Sequence, residues 1–212
     1  MAALTAVTGR VATASDRQQF ERYLAIFLRW NRTHRMTALD SPRAIVRELF
    51  LDSLLFRGLL PAGPLKLLDI GAGSGIPGLP IRLADPQVML TLMEARRKRV
   101  SFLRAACREL NLMDVTVREG RAERLVQGSG LSEAFDAVVS RAVGPPSRLL
   151  PMAMGYLKPG GVVVISGRPQ APPSSPLEDG GLIERVEVLV PGSGATRVFL
   201  RARKQGSVPR GT

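Results

Sequence analysis

The feature of this sequence that most constrains its fold is a glycine-rich loop set between an apolar run and a helical pattern. The loop, Asp69 to Gly78, reads Asp-Ile-Gly-Ala-Gly-Ser-Gly-Ile-Pro-Gly and follows the apolar run 65–70. Glycine allows a tight turn and lets the backbone come within contact distance of a ligand, because it has no Cβ. The residues predict either a cofactor-binding loop at a strand end or a tight turn without a ligand.

Short apolar runs alternate with helical patterns around and after this loop, which is typical of parallel strands buried on both faces. We predict strands at 65–70, 88–93, 115–118, 135–140 and 162–166. We predict helices between them at 77–84, 97–110, 122–126 and 146–157. This order predicts a right-handed, doubly wound α/β sheet of the Rossmann-like class.

The first part of the chain has a helical pattern instead. Residues 1–62 predict an N-terminal helical cap that begins with a loose segment. Its first helix is expected to be capped by Ser15 and Asp16. A second helix is expected to begin after Ser41-Pro42 and to end near Gly58.

The last part of the chain also departs from the alternation. Residues 63–204 predict the main domain, within which 168–181 has the composition of an exposed loop. The runs 183–190 and 196–203 predict a C-terminal antiparallel hairpin. Residues 205–212 predict a flexible tail.

The glycine loop alone leaves two cofactor classes open. Gly73 and the glycines after it also satisfy the G-x-G-x-x-G pattern of dinucleotide-binding folds, so an NAD(P)-dependent oxidoreductase is an alternative. Two residues favour S-adenosylmethionine. Asp69 precedes the first glycine, Gly71, by two positions, and Pro77 removes one amide that a pyrophosphate would use.

Two further acidic positions fit a bound adenosine. Glu94 ends the second predicted strand, where a carboxylate can reach ribose hydroxyls in either cofactor class, or can be an ordinary surface residue. Ala122 and Glu123 follow the third predicted strand, where the backbone and a carboxylate could contact the edge of an adenine ring. An acid that simply favours a helix N-terminus is the alternative for Glu123.

The fourth predicted strand limits the chemistry. Gly144 and Ser147 occupy the key positions of the motif that amino-group methyltransferases carry after this strand, and Cys107 lies inside a predicted helix, away from the strand ends. Methylation of an amino group or of a pyrimidine ring carbon is therefore not expected. A ring nitrogen with a free lone pair, such as guanine N7, needs alignment and no general base. Arg141 could hold cofactor or substrate, or be a solvated charge.

The charge of the chain favours a polyanionic partner. The 30 lysines and arginines exceed the 18 acidic residues, which gives a net charge of +12. Such a surplus is typical of nucleic-acid binding, although a general bias towards arginine gives the same total. Arg97 and Lys98 begin a helix, where the helix dipole disfavours cations, so they could bind substrate phosphates or form a solvated face.

Other function classes are disfavoured by composition. The single cysteine cannot form an intramolecular disulfide, and no cysteine–histidine cluster has metal-ligand spacing. No apolar run reaches the roughly 18 residues that suggest a membrane span. A cytoplasmic protein without a metal or a membrane anchor, acting as a monomer, is expected.

Several motifs resemble those of the bacterial 16S ribosomal RNA (guanine-N7) methyltransferase family, historically the glucose-inhibited division protein B type. The matching stretches span nearly the whole chain and are Trp30-Asn31, Met36-Thr37, Leu51-Asp52-Ser53-Leu54, Asp69 to Gly78, Arg97-Lys98-Arg99-Val100, Phe102-Leu103, Arg121-Ala122-Glu123, Ser140 to Val143 and Leu157 to Gly161. The Ile-Pro-Gly that closes the loop is more specific than the glycines themselves.

The resemblance implies a class I S-adenosylmethionine-dependent methyltransferase that acts on the 16S rRNA of the small ribosomal subunit. It implies cofactor contacts at Gly71, Ile76, Ala122, Glu123 and Arg141.

The chain differs from the family pattern at three polar positions, occupied here by Arg35, Leu49 and Ser166; we expect Arg168 to supply a displaced substrate-side charge. These differences leave a further alternative, a non-catalytic RNA-binding protein that keeps the cofactor loop.

Overall fold

A computed structural model describes residues 2–126, 130–141, 144–166, 174–176, 182–191 and 194–205. The described residues form one eight-stranded sheet in the order β3-β2-β1-β4-β5-β8-β7-β6. The strands are β1 Leu65–Ile70, β2 Val88–Glu94, β3 Thr116–Glu119, β4 Phe135–Ser140, β5 Leu157–Ser166, β6 Ser174–Pro176, β7 Leu182–Leu189 and β8 Thr196–Arg203. Helices α5 Gly78–Ala84, α6 Arg97–Glu109, α7 Ala122–Leu125 and α8 Pro146–Tyr156 connect the first five strands.

The first five strands pair in parallel, which confirms the predicted doubly wound sheet. The chain order reverses at β1, which lies between β2 and β4. In open sheets of this kind ligands bind beyond the carboxyl ends of the strands at this reversal point. Strand β5 begins five residues before its predicted start, because Leu157 pairs with Phe135 across an irregularity in the ladder.

The N-terminal cap is more helical than its sequence predicts. Residues Ala2–Thr8 form helix α1 where a loose segment was expected, and buried Leu4 packs against Leu54 and Ala84. The predicted cap is only partly confirmed. Asp16 takes part in it, but the N-cap residue is Thr13 rather than Ser15, and helix α2, Ala14–His34, begins directly after Thr13. The Thr13 hydroxyl and the Asp16 carboxylate form a reciprocal capping box.

The second predicted cap helix consists of three segments. They are α3 Pro42–Ile45, a π-helical turn at Val46–Leu51 and α4 Asp52–Arg57. Tyr23 and Phe27 of α2, Phe50 of the π turn and Leu67 of β1 belong to one buried core cluster. The cap therefore packs directly onto the sheet that carries the glycine loop.

The C-terminal hairpin is confirmed by the antiparallel pairing of β7 with β8. Strand β6 pairs with β7 inside the segment that we predicted to be loop. Most of that segment, including Arg168, lies outside the described residues, as does the tail from 206 onward. In the part of the chain that the structure describes, no helix has the length and apolarity to cross a membrane.

Candidate functional site

The glycine-rich loop leaves the end of β1 and is held by the end of β2. The amides of Gly71 and Ala72 both donate to the Met93 carbonyl at 2.9 Å. The Gly73 amide donates to the Glu94 carboxylate at 2.9 Å. Gly71 and Gly73 have φ values of +71° and +55°, which side chains disfavour. Glycine is therefore required here for backbone conformation as well as for close approach.

The helix that follows the loop does not offer a free anion site. Pro77 has no amide hydrogen, the Gly78 amide donates to the buried Asp69 carboxylate at 2.8 Å, and the Leu79 amide donates to the Gly75 carbonyl at 2.7 Å. A dinucleotide fold needs such amides for its pyrophosphate. In this chain the protein itself uses them.

Asp69 is fully buried behind the loop. Burial raises the pKa of its carboxyl to about 7; the Gly78 hydrogen bond opposes this rise, and the nearby charge of Glu94 adds to it. The Asp69 carboxylate accepts the Gly78 amide, so Asp69 fastens the start of α5 to the end of β1.

A cavity of about 910 Å³ opens beside the loop at the carboxyl ends of β1 and β2. Four of the predicted cofactor residues line it, namely Gly71, Glu94, Ala122 and Glu123. They come from three separate segments, which meet because β1, β2 and β3 are neighbours in the sheet. The rim also carries Glu119 and the arginines at 96, 99, 121 and 124.

Glu94 is the buried carboxylate of this cavity, with 7% of its surface exposed. One oxygen accepts the Gly73 amide and the other accepts the Arg96 amide at 2.8 Å. Each carboxylate oxygen can accept more than one hydrogen bond. Glu94 is therefore fixed in orientation and can still accept hydroxyl donors from a ligand.

The remaining predicted cofactor residues, Gly73, Ile76 and Arg141, are not among the residues that line the cavity. The Gly73 Cα faces Arg99, whose guanidinium nitrogen would be 2.8 Å from an added Cβ. Ile76 is buried in the core under the loop. Arg141 follows β4, and its guanidinium donates to the Glu48 carbonyl of the cap at 2.9 Å.

Arg141 belongs to a charged cluster that joins β4, the cap and β8. Arg197 donates to Glu48 at 2.6 Å and to Asp52 at 2.9 Å, and Arg141 lies 3.6 Å from Asp52. Burial lowers the pKa of Arg141 and raises the pKa of Asp52. These residues were not connected from the sequence. The available signal was a pair of acids, Glu48 and Asp52, inside an apolar helical pattern.

The two predicted phosphate contacts lie at the start of α6. Arg97 and Lys98 are both exposed, and Arg97 makes only a loose ion pair with Glu119 at 3.3 Å. Their helix begins directly after the cavity residues Glu94 and Arg96. Cations at this position are costly for the helix dipole, and an anionic partner would offset that cost.

Comparison with known sequences identifies the family. A family profile described as rRNA small subunit methyltransferase G (GidB) matches residues 16–170. The chain belongs to the rRNA small subunit methyltransferase G family. Members of this methyltransferase G family include a Streptococcus sanguinis protein that is 36% identical over 80% of this chain and 72% of its own length. One from Xanthomonas oryzae is 35% identical over 86% of this chain and 84% of its own length.

Solved structures agree on the fold. A putative O-methyltransferase from Klebsiella pneumoniae is 17% identical, covers 92% of this chain and 97% of its own, and has a TM-score of 0.57. A SAM-dependent methyltransferase from Aquifex aeolicus, 17% identical, covers 80% of this chain and 96% of its own with a TM-score of 0.56. The [4+2]-cyclase SpnF also shares the fold, with a TM-score of 0.51. Membership of the methyltransferase G family, rather than the fold, therefore indicates the reaction class.

Proposed function

We propose that this protein transfers a methyl group from S-adenosylmethionine to N7 of a guanine in the 16S rRNA of the small ribosomal subunit, in the cytoplasm. The observation that carries the proposal is the glycine loop, whose amides bond to the protein's own carbonyls and carboxylates around an open cavity. Because these amides are already bonded within the protein, they do not attract a phosphate, and the loop suits a cofactor whose reactive end is a positively charged sulfonium.

The amides at the start of α5 favour a sulfonium compound over a dinucleotide. A pyrophosphate would find the Gly78 amide bonded to Asp69 and the Leu79 amide bonded to the Gly75 carbonyl. Glu94 would accept hydrogen bonds from the ribose hydroxyls, and Ala122 and Glu123 would contact the edge of the adenine ring. Gly71 and Gly73 would let the backbone approach the ligand, with Ile76 supporting the loop from below.

The proposed target atom needs positioning more than proton transfer. When the cofactor is bound, the N7 lone pair attacks its methyl carbon as the carbon–sulfur bond breaks and that electron pair stays on sulfur. No proton leaves N7, so a general base is unnecessary. The end of β4 fits this requirement: the Ser140 hydroxyl donates to the Ile70 carbonyl at 2.7 Å, and Arg141 is oriented by the cap. We assign Arg141 to holding the cofactor or the guanine.

The RNA would be held by cations near the cavity. Arg97 and Lys98 project into solvent beside the rim arginines, and we assign them to the RNA phosphates together with Arg168. The net charge of +12 would attract RNA to the whole molecule, and these residues would orient it.

The cofactor assignment is tested by ligand-dependent thermal stability and calorimetry. S-adenosylhomocysteine is expected to raise the melting temperature of the folded protein and NADPH is not. Glu94→Gln keeps the shape of the side chain but replaces one acceptor oxygen with an NH2 group, so it should weaken S-adenosylhomocysteine binding by roughly tenfold. It should also lower the melting temperature without ligand, because the Gly73 or the Arg96 amide loses its acceptor. Stabilisation by NADPH with none by S-adenosylhomocysteine would favour the oxidoreductase alternative.

A further inference from the structure

The chain has only two tyrosines, and both are fully buried. Each donates its hydroxyl hydrogen to a backbone carbonyl in a segment next to the cavity. The Tyr23 hydroxyl lies 2.5 Å from the Ser74 carbonyl, in the glycine-rich loop. The Tyr156 hydroxyl lies 2.5 Å from the Ala122 carbonyl, in the opposite wall.

Tyr23 reaches the loop from the cap, and its ring is held on two sides. It stacks on Phe50 with ring centroids 4.8 Å apart and planes 10° from parallel, and it meets Phe27 edge-on at 6.3 Å. The hydroxyl oxygen lies 3.0 Å from the point where a Cβ on Gly75 would be. Burial raises the pKa of Tyr23 well above its usual value, so the hydroxyl keeps the hydrogen that it donates.

Tyr156 ends α8 and reaches the other wall of the cavity. Its hydroxyl also lies 3.7 Å from the sulfur of Met93, whose carbonyl accepts the loop amides. Its ring meets Phe135 at a centroid distance of 6.3 Å. Burial raises the pKa of Tyr156 to about 12, so this hydroxyl also remains a donor at neutral pH.

We propose that Tyr23 and Tyr156 are positioning residues that hold the two walls of the cofactor cavity. Tyr23 fixes the loop that faces the methionine end of the cofactor, and Tyr156 fixes the segment that faces the adenosine end. A hydrogen bond to a carbonyl fixes its peptide plane, and therefore the direction of the neighbouring groups that meet the ligand. This assignment rests on the proposed function, because it takes the cofactor to be S-adenosylmethionine.

The test compares Tyr23→Phe and Tyr156→Phe in calorimetry with two ligands. S-adenosylhomocysteine carries the amino-acid end, and 5′-methylthioadenosine lacks it. Loss of one hydrogen bond predicts about three- to tenfold weaker binding. Tyr156→Phe should weaken both ligands by this factor. Tyr23→Phe should weaken S-adenosylhomocysteine by this factor and leave 5′-methylthioadenosine nearly unchanged.

A matched control separates positioning from general loss of stability. Ser53→Ala removes another fully buried hydroxyl, which donates to the Leu49 carbonyl at 2.6 Å within the cap. It should lower the melting temperature and leave the affinities for both ligands unchanged. If either phenylalanine variant leaves both affinities unchanged, or if Tyr23→Phe weakens both ligands equally, the assignment of that tyrosine is overturned.

Amide hydrogen exchange of the full chain supplies a second, local readout. Tyr23→Phe should raise exchange in residues 73–76, and Tyr156→Phe should raise it in residues 121–124. Uniformly raised exchange would indicate a structural role only and would overturn the proposal. Folded wild-type protein that binds neither ligand would overturn the proposed function itself, which a change confined to the variants would not.

Discussion

At the residue scale, the site depends on carboxylates that fold against the backbone rather than face solvent. Asp69 accepts the first amide of α5, and Glu94 accepts the amides of Gly73 and Arg96. Both residues therefore fix the loop before any ligand binds. Preorganised groups of this kind lower the cost of ordering the site when the ligand arrives.

The raised pKa of Asp69 predicts a pH dependence of stability. Because the folded state binds this proton more tightly than the unfolded chain, the contribution is fully present near pH 4 and is lost as pH rises through about 7. Asp69→Asn cannot ionise, so its free energy of unfolding should lack this fall, whose slope is at most about 1.4 kcal/mol per pH unit. Urea denaturation between pH 4 and 8 measures it; parallel curves for the two proteins would contradict the assignment.

The charged cluster around Arg141 predicts a second residue-scale effect. Asp52→Asn removes the carboxylate shared by Arg141 and Arg197, so that Arg141 is left with the Glu48 carbonyl and Arg197 with the Glu48 carboxylate. We expect a loss of about 1 to 3 kcal/mol in the free energy of unfolding. Glu21→Gln is the control, because Glu21 pairs with Arg17 at an exposed site and its loss should cost at most about 1 kcal/mol. Equal losses would contradict the role of the cluster.

The residues of the cavity were largely predictable, and those of the charged cluster were not. Glu94 and Ala122 were found because they follow predicted strands, and parallel strands end at one edge. Arg197 contacts Glu48 across 149 residues, and no local pattern links them. The buried tyrosines were missed as positioning groups because an aromatic at helical spacing signals a core position and says nothing about its hydroxyl.

At the element scale, the glycine loop and the cap form one unit. Gly75 has a φ of +79°, and a Cβ there would lie 2.4 Å from the Leu79 side chain and 3.0 Å from the Tyr23 hydroxyl. Real Cβ atoms essentially never come as close as the Leu79 contact, so a side chain at position 75 would have to displace Leu79 of α5 and would crowd the Tyr23 hydroxyl of the cap.

Gly75→Ala should therefore destabilise the protein and weaken cofactor binding. We expect a loss of about 2 to 4 kcal/mol, from backbone strain and overpacking together, measured by urea denaturation. Gly63→Ala is the control. Gly63 has a nearly equal φ of +78° with nothing within 4 Å of an added Cβ, so only strain of about 1 to 2 kcal/mol is expected. Similar losses in both variants would show that the Cβ contacts are unimportant.

Among the elements, the parallel strands could be predicted from the sequence. Strands that are buried on both faces must be apolar along their length, and such runs are easily recognised. The π turn at Val46–Leu51 could not be predicted, because its apolar spacing is also compatible with a continuous α-helix. Strand β6 was missed because Ser174–Pro176 has a loop-like composition and is a strand only through its pairing with β7. Local sequence does not contain that pairing.

At the scale of the whole molecule, the positive charge predicts salt-dependent RNA binding that depends on where the cations lie. Arg97→Gln with Lys98→Gln should reduce the slope of log affinity against log salt by roughly 1 to 2, because each phosphate contact contributes about 0.7 to 0.9. Arg17→Gln with Arg201→Gln removes the same charge at exposed ion pairs on α2 and the hairpin. This control should keep the wild-type slope. Equal slopes for both double variants would mean that net charge alone attracts the RNA.

The most direct test of the account is the position of a transferred methyl group. Purified protein is incubated with S-adenosylmethionine carrying a tritiated methyl group and with small-subunit RNA that lacks the modification, and the RNA is then digested to nucleosides. We expect label in 7-methylguanosine, and none in RNA incubated without the protein. Label in any other nucleoside, or no transfer by folded protein to either naked RNA or small subunits, would contradict it.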